Sequence, residues 1–431
     1  MSLLRPKGAA ALFVSWIVPV LVLGGCQSQT TVTSGTNLET VLDKTQLSQM
    51  SEHFQAKSAS KARSGYVIMV RDGKGTAYTE AFGLRDMATG DPMTMDTEFR
   101  IASLTKPIVS VAIMRLVDQG KLRLTDPVKR YLPEFSDMEV GIAVDDSGVL
   151  QTEPAKRLIT IFDLLSHTAG LGAGGQHEHP ATQVYAQRYG EFFAQDSLED
   201  TSRWIASLPL VFQPGEKWGY SFSVDVLARV IEVRTGQPIE VALKEIVLSP
   251  LEMTHTYYNK AGIDRSNLAT LYVSTEDGSL APFEKAPIDM IRYPMSGGGL
   301  ISTAGDYMKF LEMMRQRGQV NGEQFLSQAS VEAMTRNVLP ESMGPIRLEM
   351  DMMGAGFGLG FGVITEERGA KSLLAPGDYF WAGATDTFAF VSPSRDISAV
   401  ILSQYWPTPQ TREWDTAYDF IDMTSASVAD R

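Results

Sequence analysis

The sequence predicts a mixed α/β fold in which an antiparallel sheet is flanked by N- and C-terminal helices and carries an inserted, mainly helical lobe. Strand-like segments occur near both ends of the 431-residue chain, and helical patterns fill the middle. Short turns join the strand-like segments, and such turns connect antiparallel neighbours because parallel strands need long crossovers. The composition, 44% hydrophobic and 21% charged, is that of an ordinary globular protein.

The elements follow in order along the chain. Apolar residues at helical spacing predict a first helix over 38–56, and residues 65–70 predict a strand whose turn at 72–75 leads into a second strand over 76–82. An apolar helix over 108–117 and a short helical segment over 121–128 begin a middle region, 101–285, of helix and loop. Later segments complete the fold, with strands over 360–364, 379–391 and 397–402 and a last helix over 410–423.

The N-terminus has the features of an export signal. Two basic residues precede an apolar run over 9–23, and Gly-Gly-Cys follows this run at 24–26. This segment resembles a bacterial lipobox, in which Cys26 is lipidated and becomes the first residue of the mature protein. Cys26 is the only cysteine, so the chain has no disulfide. We therefore expect a signal peptide over 1–25, a polar tether over 26–44 and a lipid-anchored protein that faces the periplasm, on the outer rather than the inner membrane.

The charge of the chain argues against nucleic-acid binding. The formal net charge is −13 and no basic run is present, so the surface repels phosphate. The predicted partners are a small-molecule ester or β-lactam-like substrate and, through Cys26, a lipid membrane.

The chemistry of the chain is predicted at Ser103-Leu104-Thr105-Lys106, at the start of the 108–117 helix. A serine hydroxyl is a weak nucleophile and needs a neighbouring base, which a lysine three residues later on a helix can supply or relay. Pro107 is compatible with the first turn of a helix, where its missing N–H is harmless. Ser103 is therefore expected near a helix N-terminus, where free N–H groups favour developing negative charge.

Several other motifs accompany this pair in a fixed order. They are TIFDLLSHTAGL at 160–171, QPGEKWGYS at 213–221, SPLEM at 249–253, GGGLIST at 297–303 and FWAG at 380–383. The ordered set resembles the serine β-lactamase-like family, which includes class C β-lactamases, D-alanyl-D-alanine carboxypeptidases and family VIII carboxylesterases. The resemblance covers about residues 45–425 and implies a β-lactamase/transpeptidase-like fold, with an α/β lobe at 45–100 and 286–425, a helical lobe at 101–285 and the site in the cleft between them.

The resemblance also implies roles for single residues. Ser103 would be the acylated nucleophile, and Lys106 and Tyr220 would share the proton transfers. The backbone N–H groups of Ser103 and Ala384 would form the oxyanion hole. Trp381, Ala382 and Gly383 would be a third motif that lines the substrate site opposite the serine. The family chemistry needs no metal and no cofactor, and none is predicted.

Two departures from the family pattern bear on the substrate. The third motif usually begins with a lysine or histidine that binds a substrate carboxylate, and here Trp381 stands in its place. β-Lactamases typically have Tyr-x-Asn where this chain has Tyr220-Ser221-Phe222, so an amide is replaced by Phe222. An aromatic site without a cation suits a neutral ester, and we predict a carboxylesterase closest to family VIII. The alternatives are a β-lactamase or D-alanyl-D-alanine carboxypeptidase on the same site, or a non-catalytic penicillin-binding-like envelope lipoprotein.

Other motifs in the chain are given structural interpretations. His167 suggests a Ser-His-Asp triad, but its LLSHTAG context is structural in the family, and no Gly-x-Ser-x-Gly sequence surrounds Ser103. The Gly-x-Gly-x-x-Gly match at 170–175 does not follow a strand, which a dinucleotide site requires. His177 and His179 lack further metal ligands nearby and are expected in an exposed loop.

Overall fold

The protein is described from a computed structural model. The structure describes residues 41–75, 77–172, 179–259, 263–346, 354–366, 372–407 and 415–429. The predicted signal peptide, Cys26 and the tether up to residue 40 lie outside these ranges. His177 and residues 173–175 of the glycine-rich loop also lie outside them.

The α-helices are, in chain order, α1 (Lys44–Ala59), α2 (Thr105–Asp118), α3 (Ile161–Leu165), α4 (Pro180–Phe193), α5 (Leu198–Ala206), α6 (Ser223–Thr235), α7 (Ile239–Leu243), α8 (Pro287–Met290), α9 (Ala304–Arg315), α10 (Gln328–Thr335) and α11 (Asp415–Ala426). Short 3₁₀ helices cover Ala102–Leu104, Val128–Arg130, Pro133–Phe135 and Glu341–Met343, and a π-helical turn covers Lys244–Leu248. Among the described residues, no helix is both long and apolar enough to cross a membrane.

The strands are β1 (Val41–Leu42), β2 (Gly65–Asp72), β3 (Ala77–Asp86), β4 (Asp91–Pro92), β5 (Phe99–Arg100), β6 (Glu139–Val144), β7 (Leu150–Pro154), β8 (Tyr257–Tyr258), β9 (Tyr272–Ser274), β10 (Leu280–Pro282), β11 (Leu300–Ser302), β12 (Gln319–Val320), β13 (Glu323–Gln324), β14 (Gly356–Phe357), β15 (Gly362–Val363), β16 (Tyr379–Gly383), β17 (Thr387–Ser392), β18 (Ile397–Leu402), β19 (Tyr405–Trp406) and β20 (Val428–Ala429).

The main sheet has the order β14-β15-β16-β17-β18-β2-β3-β4 among the described strands, and each neighbouring pair is antiparallel. The predicted antiparallel α/β fold is therefore confirmed. The first long strand, β2, pairs with β18 from the far end of the chain, and β3 and β4 follow it to the edge of the sheet.

Helices cover both faces of this sheet. Every residue of β17 and β18 is buried, which requires cover on both sides. On one face, α1 and α11 pack together, with the Phe54 ring against Tyr66 and the Phe420 ring against Phe390. Helix α9 packs on the same central strands. The core thus fixes the sheet from which β16 reaches the candidate site.

The middle of the chain differs in part from its prediction. It holds helices α2–α7, but also the β6–β7 hairpin and the short strands β8, β9 and β10. The helical segment predicted over 121–128 is wrong, because Pro127 is extended (ψ 136°) and only a 3₁₀ turn follows it. The run predicted over 379–391 is two strands, β16 and β17, joined by a turn in which Asp386 is left-handed (φ 62°).

Candidate active site

Ser103 lies in the 3₁₀ turn Ala102–Leu104, which leads directly into α2. The residue before it, Ala102, has φ 44°, a left-handed conformation that costs energy for a residue with a Cβ. Pro107 is the third residue of α2, so the helix begins ahead of it as the sequence predicted. Ser103 is therefore presented at a helix start on a sharply turned backbone.

The rest of the backbone around Ser103 is tied to β11 and α9. The Ile101 N–H donates to the Leu300 carbonyl at 3.0 Å, and the Leu300 N–H donates to Thr105 Oγ1 at 3.1 Å. Tyr307 Oη donates to the Leu104 carbonyl at 3.1 Å. These bonds hold the strained turn from both sides.

The structure brings Ser103, Lys106 and Tyr220 together. Tyr220 Oη donates to Ser103 Oγ at 2.7 Å, and Lys106 Nζ donates to the same oxygen at 3.2 Å. Lys106 Nζ also lies 4.5 Å from the centre of the Tyr220 ring and donates to the Gly297 carbonyl. Lys106 is buried, so its ammonium acts on both neighbours through little solvent. One hydroxyl therefore has two possible proton partners within hydrogen-bonding distance.

His167 supports the loop that carries Tyr220. Its Nδ1 lies 3.0 Å from Ser221 Oγ, and its carbonyl accepts the Gly219 N–H at 2.9 Å. Burial lowers the pKa of His167 to about 3, with a smaller contribution from the nearby Lys106 charge, so the imidazole is neutral at physiological pH. These contacts are those of a residue that supports the Tyr220 loop, in keeping with the structural interpretation of its sequence context.

Strand β16 approaches the nucleophile turn at Gly383. A Cβ on Gly383 would overlap Thr387 Oγ1 and the Ile101 carbonyl oxygen, and it would lie 3.3 Å from the Ala102 Cβ. Only glycine allows this approach. Ala384, which is exposed, follows Gly383 directly in the turn after β16, and its part in the oxyanion hole stays a prediction.

Aromatic rings surround Tyr220. Trp381 lies on β16 with its ring centre 5.7 Å from Tyr220, and Phe357 lies 5.3 Å from Trp381. We call this group the site cluster, consisting of His167, Trp218, Tyr220, Phe357 and Trp381. Trp381 is thus next to the predicted acid–base tyrosine, while Ala382, the next residue on the strand, is also buried.

Phe222 belongs to a different group of rings. It is buried at the start of α6, with its ring centre 4.5 Å from Phe192 and 5.5 Å from Trp204. We call this group the lobe cluster, consisting of Tyr185, Tyr189, Phe192, Trp204 and Phe222. The contacts of the Phe222 ring are packing contacts inside the helical lobe, and the substrate contact expected of this residue stays a prediction.

Two residues that the sequence did not single out as site residues lie at the lysine. Gly297 accepts from Lys106, and Asp225, on α6, accepts the N–H groups of Ser296 and Gly297 at 2.8 and 3.1 Å. The signal for Asp225 is an acidic residue inside the apolar run Ser-Val-Asp-Val-Leu, since a charge on a buried helix face needs a partner. Within the described parts of the chain, no group of three His, Cys, Asp or Glu side chains could hold a metal ion.

Comparisons with known proteins show the family to which the chain belongs. A family model described as Beta-lactamase matches residues 50–422. The chain belongs to this family. Within the Beta-lactamase family, Protein Rv1367c of Mycobacterium tuberculosis is 36% identical over 355 residues, covering 80% of this chain and 86% of that protein.

Two further relatives are described as enzymes. Esterase EstB of Burkholderia gladioli is 32% identical over 376 residues, covering 81% of this chain and 88% of EstB. The structure of EstCE1, described as a hydrolase with promiscuous acyltransferase activity, matches with a TM-score of 0.72 at 26% identity and covers 88% of this chain and 99% of that one. This member of the Beta-lactamase family is accordingly a serine hydrolase of the esterase-like kind.

Proposed function

We propose that the protein hydrolyses carboxylic esters of small molecules through an acyl intermediate on Ser103, with Lys106 and Tyr220 as its acid–base pair. The observation that carries this proposal is the pair of hydrogen bonds at Ser103 Oγ, 2.7 Å from Tyr220 Oη and 3.2 Å from Lys106 Nζ. A serine hydroxyl in hydrogen-bonding distance of two groups that can exchange protons with it is the arrangement that nucleophilic catalysis requires.

In the acylation step, Ser103 Oγ attacks the ester carbonyl carbon while its proton passes to the ionised Tyr220 oxygen. The Lys106 ammonium stabilises that phenolate, because an opposite charge nearby favours the charged form. The oxyanion of the tetrahedral intermediate accepts the backbone N–H groups of Ser103 and Ala384. The carbon–oxygen ester bond then breaks, and the leaving alcohol takes the proton from Tyr220.

In the deacylation step, water takes the place of the alcohol. Tyr220 accepts a proton from this water, whose oxygen attacks the acyl carbon. The second tetrahedral intermediate collapses with release of a carboxylic acid, and the proton returns to Ser103 Oγ. The two half-reactions use the same groups in opposite directions, as microscopic reversibility requires.

The neutral aromatic third motif supports an ester as substrate. Trp381 stands next to Tyr220 on β16, where the family usually places a cation for a carboxylate. An indole ring offers apolar contact area and no positive charge. The names of EstB and EstCE1 point to the same chemical class.

The test compares substrates and maps the nucleophile. Purified protein is assayed with p-nitrophenyl butyrate, nitrocefin and a D-Ala-D-Ala peptide, and a fluorophosphonate adduct is mapped by mass spectrometry. We expect one adduct on Ser103, a higher kcat/KM on the ester than on the other two substrates, and a loss of at least about 10³-fold in Ser103→Ala. Ser110→Ala removes a buried hydroxyl from the same helix and serves as the matched control.

Other results would replace the proposal. A kcat/KM on nitrocefin or the peptide equal to that on the ester would favour a β-lactamase or carboxypeptidase. A label on another residue, or full turnover by Ser103→Ala, would remove the acyl-Ser103 mechanism. Folded protein without turnover on any of the three substrates would favour a non-catalytic envelope protein.

We also propose that the protein is a lipoprotein of the bacterial envelope, anchored through Cys26 and facing the periplasm from the outer membrane. The apolar run followed by Gly-Gly-Cys at 24–26 supports this proposal. Expression with radiolabelled palmitate should label the parent and not Cys26→Ser, and the label should fractionate with outer membranes. Equal labelling of both proteins would exclude this anchor.

A further inference from the structure

A buried carboxylate, Asp225, lies beside the lysine of the candidate site and has no part in the mechanism above. It is the third residue of α6, five residues after Tyr220, and its relative exposure is 2%. A buried charge is costly unless hydrogen bonds or an opposite charge compensate it. Its partners therefore indicate what it does.

The hydrogen-bond partners of Asp225 belong to the Ser296–Gly297 loop, which also binds Lys106. Oδ1 accepts the N–H groups of Ser296 at 2.8 Å and Gly297 at 3.1 Å. The carbonyl of the same Gly297 accepts from Lys106 Nζ. One residue of the loop is thus bonded to the carboxylate through its N–H and to the ammonium through its C=O.

The second carboxylate oxygen lies near the lysine as well. A Cβ placed on Gly297 would lie 2.7 Å from Asp225 Oδ2 and 3.7 Å from Lys106 Nζ. Both charged groups therefore flank the same side of Gly297, and the absence of a side chain there lets them approach. The Lys106 charge therefore favours the ionised form of the Asp225 carboxyl and opposes the effect of burial on its pKa.

Three buried titratable groups near this pair, Tyr258, Tyr293 and His167, carry no charge near neutral pH. Burial raises the pKa of Tyr258 and of Tyr293 far above the usual value, and the Asp225 charge adds to the shift of both phenols. Burial lowers the pKa of His167 to about 3, and the Lys106 charge adds to that shift. Lys106 is the charged group that acts most strongly on Asp225. The charge balance of this region is therefore set between Asp225 and Lys106.

We propose that Asp225 is a positioning residue that fixes the Ser296–Gly297 loop, whose Gly297 carbonyl holds the Lys106 side chain beside Ser103 and Tyr220. This inference rests on the proposed function. It also accounts for Phe222 at the position where β-lactamases have an asparagine amide, because Gly297, held by Asp225, here supplies the hydrogen bond to the lysine.

The proposal predicts opposite responses of activity and stability to acid. Burial raises the pKa of Asp225 to about 6, against the opposing effects of Lys106 and the loop N–H groups. Since the unfolded carboxyl titrates near pH ~3.9, the ionised group destabilises the folded state above about pH 6, and this cost disappears as the pH falls from about 6 to about 4. The same protonation removes the charge that faces Lys106 and lowers activity.

The experiment compares the full-length parent with Asp225→Asn, which keeps the shape and an acceptor oxygen but loses the charge. We measure kcat and KM on p-nitrophenyl butyrate from pH 5 to 9, the rate of fluorophosphonate labelling at Ser103, and Tm at pH 8. We expect kcat to fall roughly 10- to 100-fold at pH 8, slower labelling, KM within about threefold and Tm no lower than that of the parent. In the parent, kcat should fall as the pH drops below about 6, and this acid limb of the pH profile should be missing in the variant.

Controls separate this role from a purely structural one. Asp378→Asn changes another buried carboxyl whose pKa is raised chiefly by burial, next to the start of β16, and should leave the acid limb in place. Asp225→Glu restores the charge and should recover the acid limb in part. A lower Tm in Asp225→Asn with an unchanged acid limb, or a parent-like kcat, would overturn the inference. A parent that neither turns over esters nor labels at Ser103 would instead overturn the proposed function.

Discussion

Tyr220 of the site cluster and Phe222 of the lobe cluster are only two residues apart in the chain, yet the surroundings of their rings differ in kind. In the site cluster, Tyr220 Oη meets Ser103 Oγ and His167 Nδ1 meets Ser221 Oγ, whereas the indole N–H groups of Trp218 and Trp381 have no hydrogen-bond partner among the described residues. In the lobe cluster, Phe222 meets rings, the nearest of them Phe192 at 4.5 Å. Aromatic residues of one short segment thus take part in two separate environments.

The difference teaches that polar neighbours, rather than aromatic character, distinguish a reactive site from a core. Lys106 Nζ lies 4.5 Å from the centre of the Tyr220 ring, and an ammonium in that position is attracted to the ring. The ring contacts of Phe222 serve packing, which stabilises the lobe that presents Tyr220. Substitutions in the two clusters should therefore affect different measurements.

The largest effect is expected from Tyr220→Phe. The change removes one oxygen, which lies 2.7 Å from Ser103 Oγ, and keeps the ring in the site cluster. Loss of a general acid–base group should lower kcat/KM on p-nitrophenyl butyrate by roughly 10²- to 10⁴-fold. Tyr185→Phe makes the same chemical change in the lobe cluster and should stay within about twofold of the parent. Equal losses in the two variants would show that the clusters are not functionally distinct.

An intermediate effect is expected from Gly383→Ala. The new Cβ would overlap Thr387 Oγ1 and the Ile101 carbonyl oxygen, so β16 must move away from the turn that holds Ser103. A displacement of about 1 Å at a reacting centre can cost roughly 100-fold, and we expect a fall in kcat of that order. Gly190→Ala, on α4 with open space around it, is the matched control and should leave kcat unchanged. A kcat of Gly383→Ala equal to that of the parent would contradict a role of β16 in forming the oxyanion hole.

The parts of the site that are local in sequence could be predicted from the sequence. Ser103 and Lys106 lie three residues apart at a helix start, and helix geometry alone places them together. The antiparallel sheet followed from short turns between strands. The pairing of Asp225 with Gly297 could not be predicted, because 72 residues separate them and only the packing of α6 against that loop brings them into contact.

The position of Phe222 at the start of a lobe helix explains why its ring and the Tyr220 ring lie in different clusters. Phe222 is the residue that immediately precedes α6, so the backbone changes there from a loop to a helix. Its side chain therefore does not follow the direction of the Tyr220 side chain. A motif reading treats Tyr220 and Phe222 as one site, whereas the backbone sends their rings to separate clusters. The role predicted for Phe222 therefore needs its own test.

The smallest effect on activity is expected from Phe222→Leu. The ring is buried against Phe192 and Trp204, so its loss should lower the free energy of unfolding by roughly 1–3 kcal/mol, as core substitutions do. Because the ring makes its contacts in the lobe cluster, kcat/KM on esters should change by less than about threefold in protein that is still folded. Urea unfolding measures the change in the free energy of unfolding, and initial rates on the same preparation measure the change in kcat/KM. A tenfold change in KM at unchanged stability would instead place Phe222 at the substrate and join the two clusters into one site.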